Sequence, residues 1–202
     1  MLSAVITGGI ATGKSSFVAA LRAAAPGIVA FSCDESVREA YTRAEVLRAI
    51  CAAVGLDAAR PADESASALR AVIRGIVTQD AEAKKRLEAV LHPLVFAELE
   101  QARNAANVAG ADVFLAEVPL YYESLRRCSA DMVIVVAASR ETQLRRLMTC
   151  RGLDQETSER LLGVQFRLED KVALADKVVW NDGTESLAQQ QSLTLLRQLI
   201  TR

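Results

Sequence analysis

No window of this chain approaches the roughly 18 uninterrupted apolar residues of a membrane-spanning helix, although 51% of its 202 residues are hydrophobic. A membrane span is therefore not expected. Histidine is nearly absent: His92 stands alone, and Cys33, Cys51, Cys128 and Cys150 form no C-x-x-C pair. That excludes a zinc site of the usual spacing. An excess of positive charge is also missing, with 24 Lys and Arg against 25 Asp and Glu and a net charge of −1. Acids and bases are interspersed, so no nucleic-acid partner is expected. A basic leader before the first apolar run is lacking, which argues against a secretory signal. Scattered thiols suit a reducing compartment, and a cytoplasmic location is the expectation.

What the chain does have is alternation. Short apolar runs at Leu2 to Thr7, Ile28 to Phe31, Val113 to Ala116, Met132 to Ala138 and Lys177 to Trp180 read as strands. Helical patterns fill the gaps, among them Ser15 to Ala25, stopped by Pro26-Gly27, and Glu185 to Ile200. Strands of this kind separated by helices predict an α/β fold with a central parallel sheet, helices covering both faces. Two long stretches carry no strand signal, and they are expected to be helical insertions over the carboxyl edge of the sheet, where α/β proteins bind ligands. The expected division is a core of residues 1–34, 110–140 and 174–202, a helical substrate-binding part at 35–109, and a small helical lid at 141–173.

The first run ends in T-G-G-I-A-T-G-K-S-S, residues 7 to 16. Gly8-x-x-x-x-Gly13-Lys14-Ser15 is the phosphate-loop pattern, set after a strand and before a helix as its mechanism requires. Glycines let successive backbone N–H groups turn toward phosphate oxygens, and the following helix adds its positive end. Gly9, Ile10, Ala11, Thr12, Gly13, Lys14, Ser15 and Ser16 are thus the nucleotide-binding candidates. Lys14 would reach the β- and γ-phosphates, and the Ser15 hydroxyl would ligate Mg²⁺. A methyl at Ala11 requires a negative φ there. GTPase signatures are missing, since no Asn precedes a Lys and no Asp has Gly three residues later.

A phosphoryl-transfer enzyme also needs a group to position or deprotonate its acceptor. Asp34 directly follows the second strand, with Arg38 one helical turn on. Asp34 fits two readings equally, a general base or a helix N-cap, and both can hold together.

Taken together, T-G-G-I-A-T-G-K-S, C-D-E-S-V-R-E, L-H-P-L-V, E-V-P-L-Y-Y-E, E-T-Q-L-R-R-L and A-D-K-V-V-W-N-D-G resemble the dephospho-coenzyme A kinase family in order and spacing over nearly the whole chain. The resemblance implies a three-layer P-loop kinase. Its reaction is transfer of the γ-phosphoryl of ATP to the ribose 3′-hydroxyl of dephospho-coenzyme A, with Mg²⁺. It also implies Asp34 as the base and Arg38, His92, Pro119 and Leu120 on the acceptor side. Asn181 would lie by the adenine, and Glu117 would reach the metal through water. The family's lid arginine stands seven residues after the glutamine of Q-x-x-R. Here that position is Cys150, and the neighbouring Arg151 can serve only if the helix begun at Glu141 has ended, with Gly152 supplying its stop. Arg146 is the substitute. A monomer or weak homo-oligomer is expected. The alternatives are another small-molecule kinase of this fold, acting on a nucleoside monophosphate or a sugar, or a nucleotide-binding regulatory module without transfer.

Overall fold

A computed structural model describes residues 1–57, 66–124 and 128–200. In chain order the elements begin β1 (Leu2–Gly8), α1 (Lys14–Ala24), β2 (Ile28–Ser32), α2 (Cys33–Ala40), α3 (Ala44–Ala53), α4 (Ala66–Gln79) and α5 (Ala81–Val108). They continue β3 (Val113–Glu117), β4 (Met132–Ala137), α6 (Arg140–Arg151), α7 (Gln155–Gly163), α8 (Leu168–Ala173), β5 (Lys177–Trp180) and α9 (Glu185–Ile200). All strand pairings are parallel, and the 5-stranded sheet runs β2-β3-β1-β4-β5. The α/β expectation holds, with strand ends differing from the sequence reading by a residue.

The chain divides into two compact units, Met1–Ser32 with Ala102–Arg202, and Cys33–Gln101. In the first, Ala4, Ile6, Leu115, Ile134, Val136 and Val179 on one sheet face meet Phe17, Val18 and Leu21 of α1 and Leu195, Leu196 and Leu199 of α9. Val5, Phe114, Val135 and Ala137, alternating with them, are fully buried as well. A strand covered on both faces cannot alternate apolar with polar, which is why these runs read as continuously apolar. Each such Val, Leu or Ile contributes about 1.5–3 kcal/mol of burial.

In the second unit, Ala40, Tyr41, Leu47, Ile50, Leu69, Ile73 and Leu91 form a separate apolar cluster. Along α5, Ala83, Leu87, Leu91, Val95 and Leu99 recur every fourth residue as its buried stripe, one face of a 3.6-residue period. Pro93 sits inside this helix and has no N–H to give the carbonyl of Ala89.

Candidate active site

β1 ends at Gly8, and its geometry admits no side chain: a Cβ there would lie 2.1 Å from the Val136 carbonyl oxygen. The chain then turns through the loop and enters α1 at Gly13, whose φ of 89° is left-handed. A Cβ on Gly13 would meet the Asn181 amide nitrogen at 2.3 Å. Two of the loop's glycines are thus dictated by close approach as well as by conformation. Ala11 departs from expectation. Its φ is 58°, positive where the sequence reading required a negative value. The loop must turn left-handed at this point, and an L-residue there carries a cost of about 1–2 kcal/mol.

Inside the loop, Lys14 Nζ and Thr12 Oγ1 both donate to the Gly9 carbonyl, at 2.7 and 3.0 Å. Behind it, the Arg146 guanidinium donates to the carbonyls of Ala11 (3.2 Å), Thr12 (3.3 Å) and Asn181 (2.7 Å). Asn181 Nδ2 donates to the Thr12 carbonyl at 2.8 Å. Ile10 N–H donates to Gln165 Oε1 at 2.9 Å. The carbonyls of Ala11 and Thr12 are thus held by Arg146 and Asn181, and that of Gly9 by Lys14 and Thr12. No acidic residue stands in the first turn of α1, so nothing on it offsets the positive helix end that an anion would meet.

Ser15 Oγ donates to Glu117 Oε1 at 2.7 Å. Glu117 ends β3 and is buried; it is not the solvent-facing strand-end charge its position in sequence allows. Farther along, Asp182 accepts from the Ser139 N–H and hydroxyl, both at 2.8 Å. Burial pushes the Asp182 carboxyl up, but bonds from Thr142 and Ser139 and the Arg146 charge outweigh it, leaving the pKa below the usual carboxylate value. That anchors the start of α6, where Ser139 caps the Thr142 N–H.

The expected lid arginines separate. Arg146 is half-buried against the loop, whereas Arg151 is exposed. Gly152 does stop the helix, with φ 64°, but α6 runs through Arg151 itself. The condition set for Arg151, that the helix has ended before it, is not met. Consecutive helical residues are turned by about 100°, and this rotation points Arg151 away from the direction Cys150 takes. Pro119 is half-buried and its carbonyl accepts from the Thr7 hydroxyl at 3.2 Å. Leu120 is exposed, while Tyr121 and Tyr122 are buried.

In the helical unit, Asp34 is the second residue of α2, in its first turn. It is therefore inside the helix and not its N-cap, which removes one of the two readings as first framed. Asp34, Arg38 and His92 are all exposed. His92 lies edge-on to Phe96 with ring centroids 6.3 Å apart. Among the described residues no cluster of three or more His, Cys, Asp or Glu could hold a metal ion, and no helix is long and apolar enough to cross a membrane.

The dephospho-CoA kinase family model matches residues 3–186. The chain belongs to the dephospho-CoA kinase family. A dephospho-CoA kinase of Geobacillus kaustophilus is 32% identical over 194 residues, covering 96% of this chain and 94% of that one. One from Anaeromyxobacter dehalogenans is 36% identical, covering 91% and 85%. Among solved structures, dephospho-CoA kinase from Campylobacter jejuni superposes with a TM-score of 0.63 at 25% identity, covering 99% of this chain and 98% of that one. A Thermus thermophilus crystal structure gives a TM-score of 0.73 at 29% identity, covering 96% of each chain.

Of the groups this family member brings to its loop, sequence reasoning named Gln165 as a minor candidate and passed over Gln143 and Lys171. Gln143 is buried, donates to the Ala138 carbonyl at 2.9 Å, and its Oε1 would lie 2.8 Å from a Cβ on Gly9. Gln165 and Lys171 also touch the loop. The only signal for Gln143 was its place in Q-x-x-R. Lys171, preceded by two acids in L-E-D-K-V, has the local sequence of a solvated surface charge.

Proposed function

We propose that this chain phosphorylates the ribose 3′-hydroxyl of dephospho-coenzyme A with ATP, giving coenzyme A and ADP. The observation that carries this is the Ser15–Glu117 bond of 2.7 Å beside a phosphate loop, in a chain that matches the family over residues 3–186. A serine hydroxyl and a carboxylate are hard oxygen donors of the kind a magnesium ion takes, with phosphates and water completing its shell. Ser15 would hold Mg²⁺ directly and Glu117 through water; when bound, the ion neutralises charge on the β- and γ-phosphates.

The loop residues Gly9 to Ser16 cradle the phosphates, and Lys14 meets the γ-phosphoryl. Arg146 and Asn181 fix the loop carbonyls and border the adenine. The Cys33–Gln101 unit is the acceptor-binding part, with Arg38 and His92 contacting dephospho-coenzyme A, and Pro119 and Leu120 are further acceptor-binding residues. Residues 141–173 act as the lid, with Arg146 taking the place that Arg151, still inside α6, does not fill. Asp34 takes the 3′-hydroxyl proton as that oxygen bonds to the γ-phosphorus and the bond to the β-γ bridging oxygen breaks. Chain connectivity supports this role for Asp34, which stands two residues past the carboxyl end of β2. Exposure leaves its carboxylate open to an acceptor.

Little covalent work falls to the protein in such a transfer; positioning and charge do most of it. The test is ADP formation with Mg²⁺ and ATP as the acceptor is varied. Strict dependence on dephospho-coenzyme A is expected. Equal turnover with a nucleoside monophosphate or a sugar, or none with any acceptor, would refute the assignment.

A further inference from the structure

Lysine is rarely buried without a partner, yet Lys171 has no exposed surface at all. A buried ammonium is strongly disfavoured unless opposite charge and acceptors surround it. Lys171 has both: Glu123 Oε1 at 2.7 Å and the Gly8 carbonyl at 3.3 Å. The same Glu123 oxygen accepts the Phe166 N–H at 3.1 Å. The other carboxylate oxygen is buried with no partner among the described residues, so Glu123 depends on Lys171 for its charge balance. The Tyr122 hydroxyl donates to the Leu174 carbonyl at 3.1 Å, which ties the same two segments together again.

These bonds have a direction. Gly8 opens the phosphate loop, and a trans peptide points its N–H opposite to its C=O. Holding the Gly8 oxygen therefore sets where the Gly9 N–H points. Two residues on, the Ile10 N–H is held by Gln165. The loop's entry is thus gripped by its carbonyl and by its amide from one short stretch, 165–171. That stretch is in turn fastened to Glu123, and Leu174 just beyond it to Tyr122, a few residues after Pro119 and Leu120.

We propose that Lys171 is a positioning residue for phosphoryl transfer: its ammonium, neutralised by Glu123, orients the first peptide of the phosphate loop and ties the loop to the 119–123 segment. This rests on the kinase reading above. Misplacement by a fraction of an ångström lowers the rate of a positioned reaction far more than it weakens ground-state binding.

The experiment compares wild type, Lys171→Met and the matched neutral pair Lys171→Met/Glu123→Gln, each assayed well below its own melting temperature with ATP, Mg²⁺ and dephospho-coenzyme A. Lys171→Met is expected to lose about tenfold to a hundredfold in kcat while the KM for ATP stays within about threefold. The double variant is expected to regain melting temperature relative to Lys171→Met without regaining kcat. Recovery of kcat together with stability would overturn the proposal, leaving only charge balance. So would wild-type kcat in folded Lys171→Met. Failure of both variants to fold would overturn it as well, assigning the pair to the fold. An inactive wild type refutes the kinase reading; an active wild type with an unimpaired Lys171→Met refutes the positioning role alone.

Discussion

The phosphate loop and the helical unit Cys33–Gln101 hold their polar groups in opposite ways. Around the loop, Thr12, Lys14, Arg146, Asn181 and Gln165 each bond to loop backbone. In the helical unit, Asp34, Arg38 and His92 project from α2 and α5 into solvent. Partly buried polar contacts of that unit serve the fold instead: Glu98 accepts the Ser36 hydroxyl at 2.6 Å and pairs with Arg43 at 2.7 Å. The difference teaches where preorganisation is needed. Phosphate is bound mostly by backbone amides, which must all be aimed before the anion arrives. Exposed side chains such as Asp34, Arg38 and His92 are free to adjust to what they meet.

The contrast breaks most visibly at Asp34. Asp34→Asn keeps the shape but cannot take a proton, so kcat should fall by about a hundredfold to ten-thousandfold. Because Asp34 is exposed and lies inside α2, the melting temperature should hardly move, and calorimetry beside steady-state kinetics checks both. A variant whose activity merely follows its folded fraction would make Asp34 structural.

Lys14→Ala should cost at least about a hundredfold in turnover, since one preorganised charge on the transferring group contributes a few kcal/mol. Near-normal turnover would remove the loop from the mechanism.

The two arginines of α6 sharpen the comparison further. Arg146→Ala frees three carbonyls of their donor, so it should lower kcat about tenfold to a thousandfold and lower stability by about 1–3 kcal/mol. Arg151→Ala, on an exposed helix end, should leave stability unchanged and cost kcat less than Arg146→Ala does. A crippling Arg151→Ala with a mild Arg146→Ala would show that the end of α6 unwinds in the working enzyme.

The smallest effect is expected at Ala11. Ala11→Gly relieves the left-handed strain but loosens the unfolded chain by about 0.4–1 kcal/mol. A net gain of between zero and about 1.6 kcal/mol follows from these two opposing terms, readable as a small rise in melting temperature. A fall would mean that the loop tolerates alanine without strain.

Much of the nucleotide end was legible in sequence. A strand, a glycine-spaced turn and a helix are set by neighbours within a dozen residues, so Gly8-x-x-x-x-Gly13-Lys14-Ser15 announced both the loop and the start of α1. The five strands were legible for a related reason: burial on both faces leaves an unbroken apolar run. The stop at Gly152 was a local signal too, although α6 extends through Arg151. Ala11 shows the limit, because its residue type argued for a negative φ and the loop overrode it.

What the sequence by itself determined about this protein is therefore its local chemistry: the parallel-sheet class, the phosphate loop, and the motif set that marks the family. Only the tertiary structure decided which side chains aim that loop. Gln165 reaches Ile10 across 155 residues of chain, and Lys171 reaches Gly8 across 163. No periodicity or spacing rule reports a contact of that separation. Whether a lysine is a solvated surface charge or the buried partner of a carboxylate depends on what the folded chain lays over it.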